Sequence, residues 1–600
     1  MSSSTPADPL AALADVFGFA AFRGRQEEVV RRVLSGQSTL AVMPTGAGKS
    51  LTYQLPARMM PGTCVVVSPL IALMHDQLRS AQAVGIRAAT LTSADDDQAE
   101  TVRRLHAGEL DLLYVAPERA SRSHFLRLLT QAQLCLFAID EAHCVSEWGH
   151  DFRPDYRLLR PMLDAFPQVP RLALTATADE HTRKDIVAQL GIAQDGMIVA
   201  GFDRPNIRYA VSARSSLTSQ VKAVLAAEPG AGIVYAPTRA ASERLAQALN
   251  SPARQVRAYH AGLAPEVRAA NQSAFIGSAN MVICATVAFG MGIDKPDVRF
   301  VIHAGLPKSI ESYYQETGRA GRDGEPSKAH LFWGGDDFIR ARQRLAELDP
   351  ARQQGENARL ASLAALVETP QCRRAILLRH FGEDPPAQCG NCDNCLDPPE
   401  AIDASVLAQK YLSAVVRTRQ QFGAGYVKAI LTGQSSDRSR DNGHEDLSVF
   451  GIVPAAEATL LKPVQRALLA HGALLPTQHG GLMLGHEAQA FLKGERRLDV
   501  LRPAAAKRRD REHGAPTRGR RAAASNPVAD PLFEALRALR RTLAQEAGVP
   551  AFVVFPDAVL RDLAGLRPDS ASSMLQLPGV GPRKLEQYGE AFLKVIREHR

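Results

Sequence analysis

The chain has 600 residues, far more than a single hydrophobic core uses, so we expect several domains. Its 45% hydrophobic and 22% charged residues are typical of a globular protein in water, and no apolar run of about 18 residues predicts a membrane span. The small, polar start predicts no secretory signal, and eight cysteines in this length exclude a disulfide scaffold and favour the cytoplasm.

The first distinctive stretch runs from Phe17 to Gln26 and ends shortly before a glycine-containing loop. The side-chain amide of Gln26 both donates and accepts hydrogen bonds, so it can recognise the edge of an adenine. A glutamine on an exposed surface is the alternative explanation, and this stretch alone does not decide between the two.

The next stretch, Met43–Ser50, has the form of a phosphate-binding loop. An apolar strand precedes it, and a glycine-free segment, predicted to be a helix that starts near Lys49, follows it. Backbone N–H groups and the helix N-terminus would hold phosphate, Lys49 would reach the terminal phosphates, and the Ser50 hydroxyl would bind Mg²⁺. Met43 departs from the usual pattern, because it occupies the position of the first glycine. The predicted nucleotide-binding residues are Gln26, Thr45, Gly46, Ala47, Gly48, Lys49 and Ser50.

A second acidic motif follows the apolar strand that begins at Leu134. Asp140 and Glu141 stand at the tip of this buried strand, where a magnesium ion beside a phosphate loop needs a carboxylate. We expect Asp140 to hold the ion and Glu141 to polarise the attacking water. A solvated strand end would explain the pair in isolation, but together with the phosphate loop it predicts a nucleotide hydrolase.

Strand and helix patterns alternate through the first half of the chain and predict two parallel-sheet domains. Strands in the first set end in small or hydroxyl residues, at the sheet edge where such folds bind ligands. A second set of strands begins at Gly232 and carries no phosphate loop of its own. Two such domains with one loop between them predict a motor whose cleft opens and closes on ATP.

Three motifs give the chain a resemblance to the superfamily 2 helicases. They are the Asp-Glu-Ala-His run at 140–143, the Thr-Ala-Thr run at 175–177 and the glycine- and arginine-rich run at 315–324. The chain most resembles the RecQ DNA helicases, over nearly its whole length. The resemblance implies that Gln26 recognises adenine, that Arg322 is an arginine finger and that Arg319 lies in the same cleft. An exposed glycine-rich turn would be the alternative for these arginines. The implied catalytic residues are Lys49, Asp140, Glu141, Arg319 and Arg322.

The segment after the acidic motif, residues 144–154, resembles the aromatic-rich loop of the same family. Trp148 and Phe152 offer flat faces on which DNA bases can stack, and Arg153 lies beside them. Because they lie next to the magnesium ligands, these side chains would couple the state of the bound nucleotide to the strength of DNA binding. Packing in the core is the alternative for the tryptophan, since most tryptophans are largely buried.

Four of the cysteines cluster in sequence and predict a structural zinc site. The run 389–395 contains two C-x-x-C spacings, and a further cysteine lies on a preceding helix. Four thiolates complete a tetrahedral Zn²⁺ shell with no open position. The expected ligands are Cys372, Cys389, Cys392 and Cys395.

Residues 401–495 are predicted to form a smaller helical unit with a hairpin over 472–484, which suggests a winged helix, and the resemblance places one here. His479, at the turn, would wedge at a duplex end, although a lone loop histidine is more often only exposed. The polar insert at 435–446 is expected to be a flexible loop.

A basic stretch, Lys493–Arg521, separates this unit from the C-terminal segment. It carries a net charge of +7, whereas the whole chain carries +8. A solvated tether and a tether that also holds a polyanion both explain it. The remaining residues resemble the helicase-and-RNase-D C-terminal (HRDC) bundle, where Arg583 and Lys584 would hold phosphate. Phe552 would stack on single strands, and a packed core position explains it equally well.

The predicted fold class is α/β, with two RecA-like parallel-sheet motor domains followed by a zinc-binding helical subdomain, a winged helix and a small helical bundle. The expected boundaries are 1–202 and 203–340 for the motor domains, 341–400 for the zinc subdomain, 401–495 for the winged helix, 496–528 for the linker and 529–600 for the bundle.

The resemblance implies an ATP-dependent 3′–5′ DNA helicase that uses ATP, Mg²⁺ and Zn²⁺ and acts in DNA repair and recombination. The implied partners are single-stranded, duplex and branched DNA and single-stranded DNA-binding protein, for a monomeric, nucleoid-associated motor in the cytoplasm. Two alternatives stay open. One is an RNA helicase or duplex translocase with the same motor, and the other is a DNA-binding scaffold with a vestigial ATPase.

Overall fold

The computed structural model describes residues 8–599, except 93–94, 96, 148, 150–151, 290–294, 478–480, 502–529 and 548–550. Trp148, His479 and most of the basic linker therefore lie outside the described residues. Five connected units follow one another along the chain. None of the helices in the described part combines the length and apolar character needed to cross a bilayer.

The first motor domain is a seven-stranded sheet in which every pair is parallel, in the order β3-β4-β2-β5-β6-β1-β7. Its strands are almost fully buried, because helices cover both faces, and they consist of short apolar runs. The strands are β1 Thr39–Val42, β2 Thr63–Val67, β3 Ala88–Leu91, β4 Leu112–Val115, β5 Leu134–Ile139, β6 Arg171–Thr175 and β7 Met197–Val199. The helices are Pro9–Phe17, Gln26–Leu34, Leu51–Met59, Ile71–Ala83, Gln98–His106, Pro117–Ala120, Ser123–Leu129, Pro154–Arg157, Arg160–Asp164 and Glu180–Leu190.

The second motor domain repeats this architecture with six parallel strands in the order β10-β11-β9-β12-β13-β8. The strands are β8 Ile207–Ala213, β9 Ala231–Tyr235, β10 Val256–Tyr259, β11 Val282–Ala285, β12 Val298–His303 and β13 Ser327–Trp333. The helices are Leu217–Ala227, Arg239–Leu249, Pro265–Gly277, Ile310–Thr317 and Gly335–Ala346. The two-sheet motor that the sequence predicts is therefore confirmed.

The zinc-binding and winged-helix units follow as a helical layer with two small antiparallel sheets, β14–β17 and β15–β16. Their strands are β14 Ala401–Asp403, β15 Leu474–Pro476, β16 Leu482–Leu484 and β17 Asp499–Leu501. Their helices are Pro350–Glu368, Arg373–His380, Asp393–Leu396, Ser405–Arg417, Ala424–Leu431, Asp437–Asp441, Leu461–Ala470 and Ala488–Leu492.

The insert at 435–446 differs from its prediction as a flexible loop. It forms the short helix Asp437–Asp441 and a single 3₁₀ turn, with Ser439 fully buried. The hydroxyls of Ser435 and Ser439 each donate to one oxygen of Glu445, at 2.6 Å. These contacts order a polar sequence that has no apolar periodicity, which is the reason the pattern gave no sign of a helix.

The C-terminal bundle packs its own apolar core from helices Pro531–Glu546, Ala551–Val554, Asp557–Leu566, Ala571–Leu575, Pro582–Lys584 and Glu590–Glu598. It also rests on both motor domains. The backbone N–H of Gly579 donates to Gly18 O in the first domain at 3.3 Å, and Arg561 forms a 2.7 Å ion pair with Glu325 in the second. The bundle therefore bridges the two domains.

Candidate functional site

The phosphate loop lies between β1 and the helix Leu51–Met59, as the sequence predicts. Gly46 and Gly48 have φ of +86° and +71°, a left-handed backbone that favours glycine. At Gly48 a Cβ would also lie only 2.6 Å from Nε2 of Gln26. The second glycine is thus required both by the turn and by the glutamine packed against it.

Gln26 is buried and hydrogen-bonded to this loop. Its Nε2 donates to Ala47 O at 2.8 Å and to Gly48 O at 3.2 Å, and its Oε1 accepts from Arg23 N at 2.8 Å. Nearby, the rings of Phe17 and Phe19 stack in parallel, with centroids 6.4 Å apart. The two aromatic rings and the Gln26 side-chain amide lie at one end of the cleft, where they are suited to bind the face and the edge of a planar base.

The contact made by Lys49 explains why Met43 can stand in place of the first glycine of the motif. Its ammonium donates to Met43 O at 3.3 Å, so the backbone carbonyl, which any residue supplies, holds the lysine over the loop. The Met43 side chain is buried in the domain core. Replacing the first glycine therefore leaves the contact to the lysine intact.

Asp140 and Glu141 lie at the carboxyl end of β5, beside the phosphate loop. Burial and the neighbouring Glu141 raise the pKa of Asp140 to about 6, whereas the Lys49 charge opposes that rise. Glu141 adopts a left-handed backbone with φ of +48°, which marks a conformation held by its surroundings. The next histidine, His143, contacts Thr175 Oγ1 at 3.0 Å and thus links this motif to the end of β6.

The arginines of the second domain reach the phosphate loop from the other side of the cleft. The Cβ that Gly46 lacks would lie 3.3 Å from Arg322 Cγ, and the one that Gly318 lacks would lie 3.1 Å from Thr45 Cβ. Arg319 is 6% exposed in the same cleft. Both arginines therefore line the cleft that holds the phosphate loop, and their action on a terminal phosphate stays a prediction.

These residues line one cavity of about 610 Å³, a size typical of ligand sites. Among the described residues, Nε of Arg319 and Oε1 of Gln77 are buried without a hydrogen-bond partner, so polar groups are left over for a ligand. The loop, the lysine and the acidic pair fit a magnesium-bound nucleotide. The lining residues include Phe17, Gln26, Thr45, Gly46, Gly48, Lys49, Ser50, Gln77, Asp140, Glu141, Arg319, Arg322, Ala558, Val559, Asp562, Pro578 and Gly579.

The structure brings the four predicted zinc ligands together. The sulfur atoms of Cys372, Cys389, Cys392 and Cys395 all lie within 4.8 Å of one another. The set contains only thiols and no carboxylate, which suits a structural zinc ion. Next to it, Asp393 accepts a 2.8 Å hydrogen bond from Val211 N on β8, so the cluster is fastened to the second motor domain.

The described part of the aromatic-rich loop lies at the edge of the cleft. Phe152 is half-buried, and the Arg157 guanidinium lies 5.4 Å from the centre of its ring. Arg153 donates to Pro69 O at 2.9 Å, behind β2. The loop is thus tied to the motor core near the nucleotide cavity, and DNA contact by Phe152 and Arg153 stays a prediction.

Two of the predicted DNA residues of the bundle, Arg583 and Phe552, lie at its interface with the motor domains, and Lys584 packs within the bundle. The Arg583 guanidinium occupies the space of the missing Gly85 side chain. Burial lowers the pKa of Lys584 to about 8, and its ammonium lies 5.9 Å from the Phe555 ring. Phe552 lines a small cavity between the bundle and the second domain. Lys584 and Phe552 are half-buried whereas Arg583 is largely exposed, and the contact of all three with DNA stays a prediction.

Two side chains at the site were not selected from the sequence. Gln77 donates to Asp140 Oδ2 at 3.3 Å from the middle of a helix, and Arg204 reaches the phosphate loop from the connector between the domains. A helical glutamine carries no motif signal, and neither does an arginine in a short connector. Only the folded arrangement shows them.

Comparisons with known proteins cover almost the whole chain. Residues 23–186 match the DEAD/DEAH box helicase family, 216–324 the helicase conserved C-terminal domain, 335–396 the RecQ zinc-binding domain, 398–509 the RQC domain and 529–596 the HRDC domain. The ATP-dependent DNA helicase RecQ of Haemophilus influenzae is 41% identical over 98% of this chain and 96% of its own. The protein of the same name from Bacillus subtilis is 37% identical over 98% of each chain.

Among solved structures, the DUF1998 helicase MrfA bound to DNA is similar at a TM-score of 0.47 and 18% identity, over 61% of this chain and 57% of its own.

Proposed function

The chain belongs to the RecQ family of ATP-dependent DNA helicases, and on that premise we propose that it unwinds duplex and branched DNA at the expense of ATP. The observation that carries the proposal is the cleft itself. Arg322 of the second domain lies against Gly46 of the phosphate loop in the first. A change in the bound nucleotide at this contact would alter the relation between the two domains, which is the basis of stepping.

Each catalytic side chain has a distinct role in hydrolysis. Lys49 holds the terminal phosphates, and Asp140 with Ser50 would hold magnesium, which neutralises phosphate charge when bound. Glu141 orients and polarises the attacking water. Arg322 stabilises charge that grows on the transferring phosphoryl group, and Arg319 adds positive charge in the same cleft. The four-cysteine cluster holds zinc in a structural role.

The test of the proposal is unwinding of matched duplexes in the presence of ATP and magnesium. DNA with a 3′ tail should be unwound, whereas DNA with a 5′ tail should not, because the resemblance implies movement from 3′ to 5′. An RNA duplex that is unwound equally well would favour the RNA helicase alternative. Absence of ATP turnover with single-stranded DNA would favour the DNA-binding scaffold.

The partners and setting follow from the same premise. We propose that the chain works as a monomeric motor, acts in repair and recombination, and contacts single-stranded DNA-binding protein at the nucleoid. The formal charge supports contact with a polyanion, since most of the net +8 is concentrated in Lys493–Arg521.

The arginine finger gives the first mutational prediction. Arg322→Ala should still bind ATP but lose turnover by a factor on the order of 10³, since its charge is needed in the transition state rather than in the ground state. Steady-state hydrolysis and binding of a fluorescent ATP analogue measure the two effects. The matched control is Arg244→Ala, an exposed arginine of the same domain. Weak ATP binding with normal turnover would contradict the finger role.

For DNA, we propose three separate grips. The aromatic-rich loop with Trp148, Phe152 and Arg153 stacks on bases beside the cleft, the hairpin with His479 opens the duplex, and the linker with the bundle holds more distant DNA. Phe552, Arg583 and Lys584 would serve this third grip. In the docked position of the bundle, Phe552 would have to exchange its packing contacts with the second domain for DNA contacts.

The third grip predicts a change in salt dependence. The winged-helix unit extends past the expected boundary at 495, because β17 pairs with β14 and Leu498 and Val500 are buried in its core. Truncation after Leu501 should leave turnover near normal at saturating single-stranded DNA but weaken DNA affinity, because a tethered site raises the effective concentration. The slope of log affinity against log salt should become less steep, since fewer counterions are released. DNA affinity across a salt series measures both effects.

A matched variant separates the effect of the linker's charge from the effect of the bundle. The triple change Lys507→Gln, Arg508→Gln and Arg509→Gln keeps the bundle and should flatten the slope by about two units on single-stranded DNA, roughly 0.7 per phosphate contact removed. Slopes and affinities equal to those of the full chain in both variants would reduce the linker to a spacer. Turnover lost at saturating DNA would show that the catalytic core extends beyond Leu501.

A further inference from the structure

Arg204 lies outside the phosphate loop, the acidic motif at 140–143 and the arginine-rich run at 315–324. It lies in the short connector between β7, the last strand of the first motor domain, and β8, the first strand of the second. From this position its guanidinium extends into the cleft between the two domains. It makes contacts on both sides of that cleft.

The contacts are four hydrogen bonds to backbone carbonyl oxygens. Nη1 donates to Thr45 O at 2.6 Å and to Gly318 O at 3.1 Å. Nη2 donates to Ala320 O and to Gly321 O, both at 2.9 Å. One acceptor belongs to the phosphate loop, and the other three belong to the turn that carries Arg319 and Arg322. A single planar group thus spans the catalytic cleft.

The electrostatics show that this placement is costly for a charged group. Burial lowers the pKa of Arg204, and the nearby Arg322 charge acts in the same direction. Among the described residues, all of its hydrogen bonds go to carbonyl dipoles rather than to a carboxylate. The rigid fork of a guanidinium can serve several acceptors at once, which a lysine ammonium cannot do in the same geometry.

The connector is itself held in place from outside the cleft. Arg374 donates to Ile207 O at 2.6 Å, and Asn391, inside the cysteine cluster, donates to Pro205 O at 3.0 Å. Two residues after Arg204, Asn206 donates to Gly321 O at 2.8 Å. The backbone on which Arg204 stands is therefore fixed by the zinc-binding unit.

We propose that Arg204 is a positioning residue for ATP hydrolysis, whose guanidinium ties the phosphate loop to the 318–322 turn and so sets the arginine finger over the loop. The inference rests on the proposed function, because it concerns the same hydrolysis. It assigns to the domain connector a part in assembling the site. Arg204 itself acts through Thr45 and the turn rather than on the phosphate.

The first test compares turnover with binding. Arg204→Gln should lower kcat for single-strand-stimulated ATP hydrolysis on the order of 10²-fold, because a misplaced catalytic group costs about that much. The dissociation constant for ATP should change by less than about threefold, since Lys49 and the loop remain. Arg204→Lys keeps the charge without the fork and should recover only part of the loss. Zinc content and single-strand binding report whether each variant is folded.

The second test is a double-mutant cycle with the finger. In the Arg322→Ala background, Arg204→Gln should have little further effect on kcat, because both changes remove the same contribution. Arg208→Gln is the matched control, since this neighbour on β8 makes no side-chain hydrogen bond among the described residues and should leave kcat unchanged.

Three results would overturn the inference. They are full additivity with Arg322→Ala, full recovery by lysine, and a loss confined to ATP affinity. A failure of the proposed function would look different, since Arg322→Ala alone would then retain normal turnover. The cycle therefore separates the two failures. If Arg204→Gln does not fold, the cycle is carried out with Arg204→Lys.

Discussion

Lys49→Ala should abolish ATP hydrolysis and unwinding while leaving most single-strand binding in place. The ammonium lies over the phosphate loop, held by Met43 O, and it also stabilises the ionised form of the neighbouring Asp140. Removing one preorganised charge from a site of this kind lowers turnover by about 10²–10³-fold or more. Steady-state hydrolysis, strand separation and single-strand affinity, measured on one preparation, test the expectation.

Lys184→Ala is the matched control for this change. Lys184 belongs to the same domain, its side chain is 62% exposed, and its only described ion pair is with Glu180 one turn earlier in the helix. Such surface pairs contribute little, so turnover should be unchanged. A Lys49→Ala protein that still unwinds DNA would show that the nucleotide site has been assigned to the wrong residues.

The second large effect concerns the cysteine cluster. The full-length protein should hold about one zinc ion per chain, as a closed four-thiolate shell requires. Cys392→Ser should release the metal and lower stability by more than about 3 kcal/mol, because in such sites metal-binding energy is folding energy. DNA binding should fall at the same time, since the cluster is fastened to β8 through Asp393. Elemental analysis, thermal unfolding and DNA affinity measure the three effects.

Cys135→Ser is the control that separates the effect of losing zinc from the effect of replacing a buried cysteine. Cys135 is buried in β5, away from the cluster, so this variant should lose some packing energy but keep its full zinc content. A soluble, fully active Cys392→Ser protein without metal would refute the structural role of the site.

The sequence predicted the parts of the site that are contiguous in the chain. The phosphate loop, the acidic pair after β5 and the paired C-x-x-C spacings each concentrate their chemistry within a few residues, and the structure places them as expected. The order of five units also follows from the sequence and is confirmed. Local motifs are visible because the physical requirement, such as a left-handed turn at Gly48, falls on one short segment.

The remainder depends on contacts between segments that are distant in sequence. Arg204 binds carbonyl groups of Thr45 and Gly318, and a carbonyl is present on every residue, so no side-chain pattern marks these partners. The docking of the bundle over the cleft is equally hidden, since it depends on shape rather than on residue type. Conversely, the insert at 435–446 was wrongly predicted as a flexible loop, because serine and glutamate hydrogen bonds order it without any apolar repeat.

The close approach of the bundle to the nucleotide cavity has a thermodynamic consequence. The start of its helix Asp557–Leu566 and the turn at 578–579 form one wall of that cavity. Gly18 must remain a glycine there, since a Cβ would lie 2.8 Å from Gly581 Cα. Linkage is reciprocal, so the factor by which this wall changes nucleotide affinity equals the factor by which nucleotide changes the attachment of the bundle. A nucleotide that binds more tightly when the bundle is docked would therefore also hold the bundle more tightly in place.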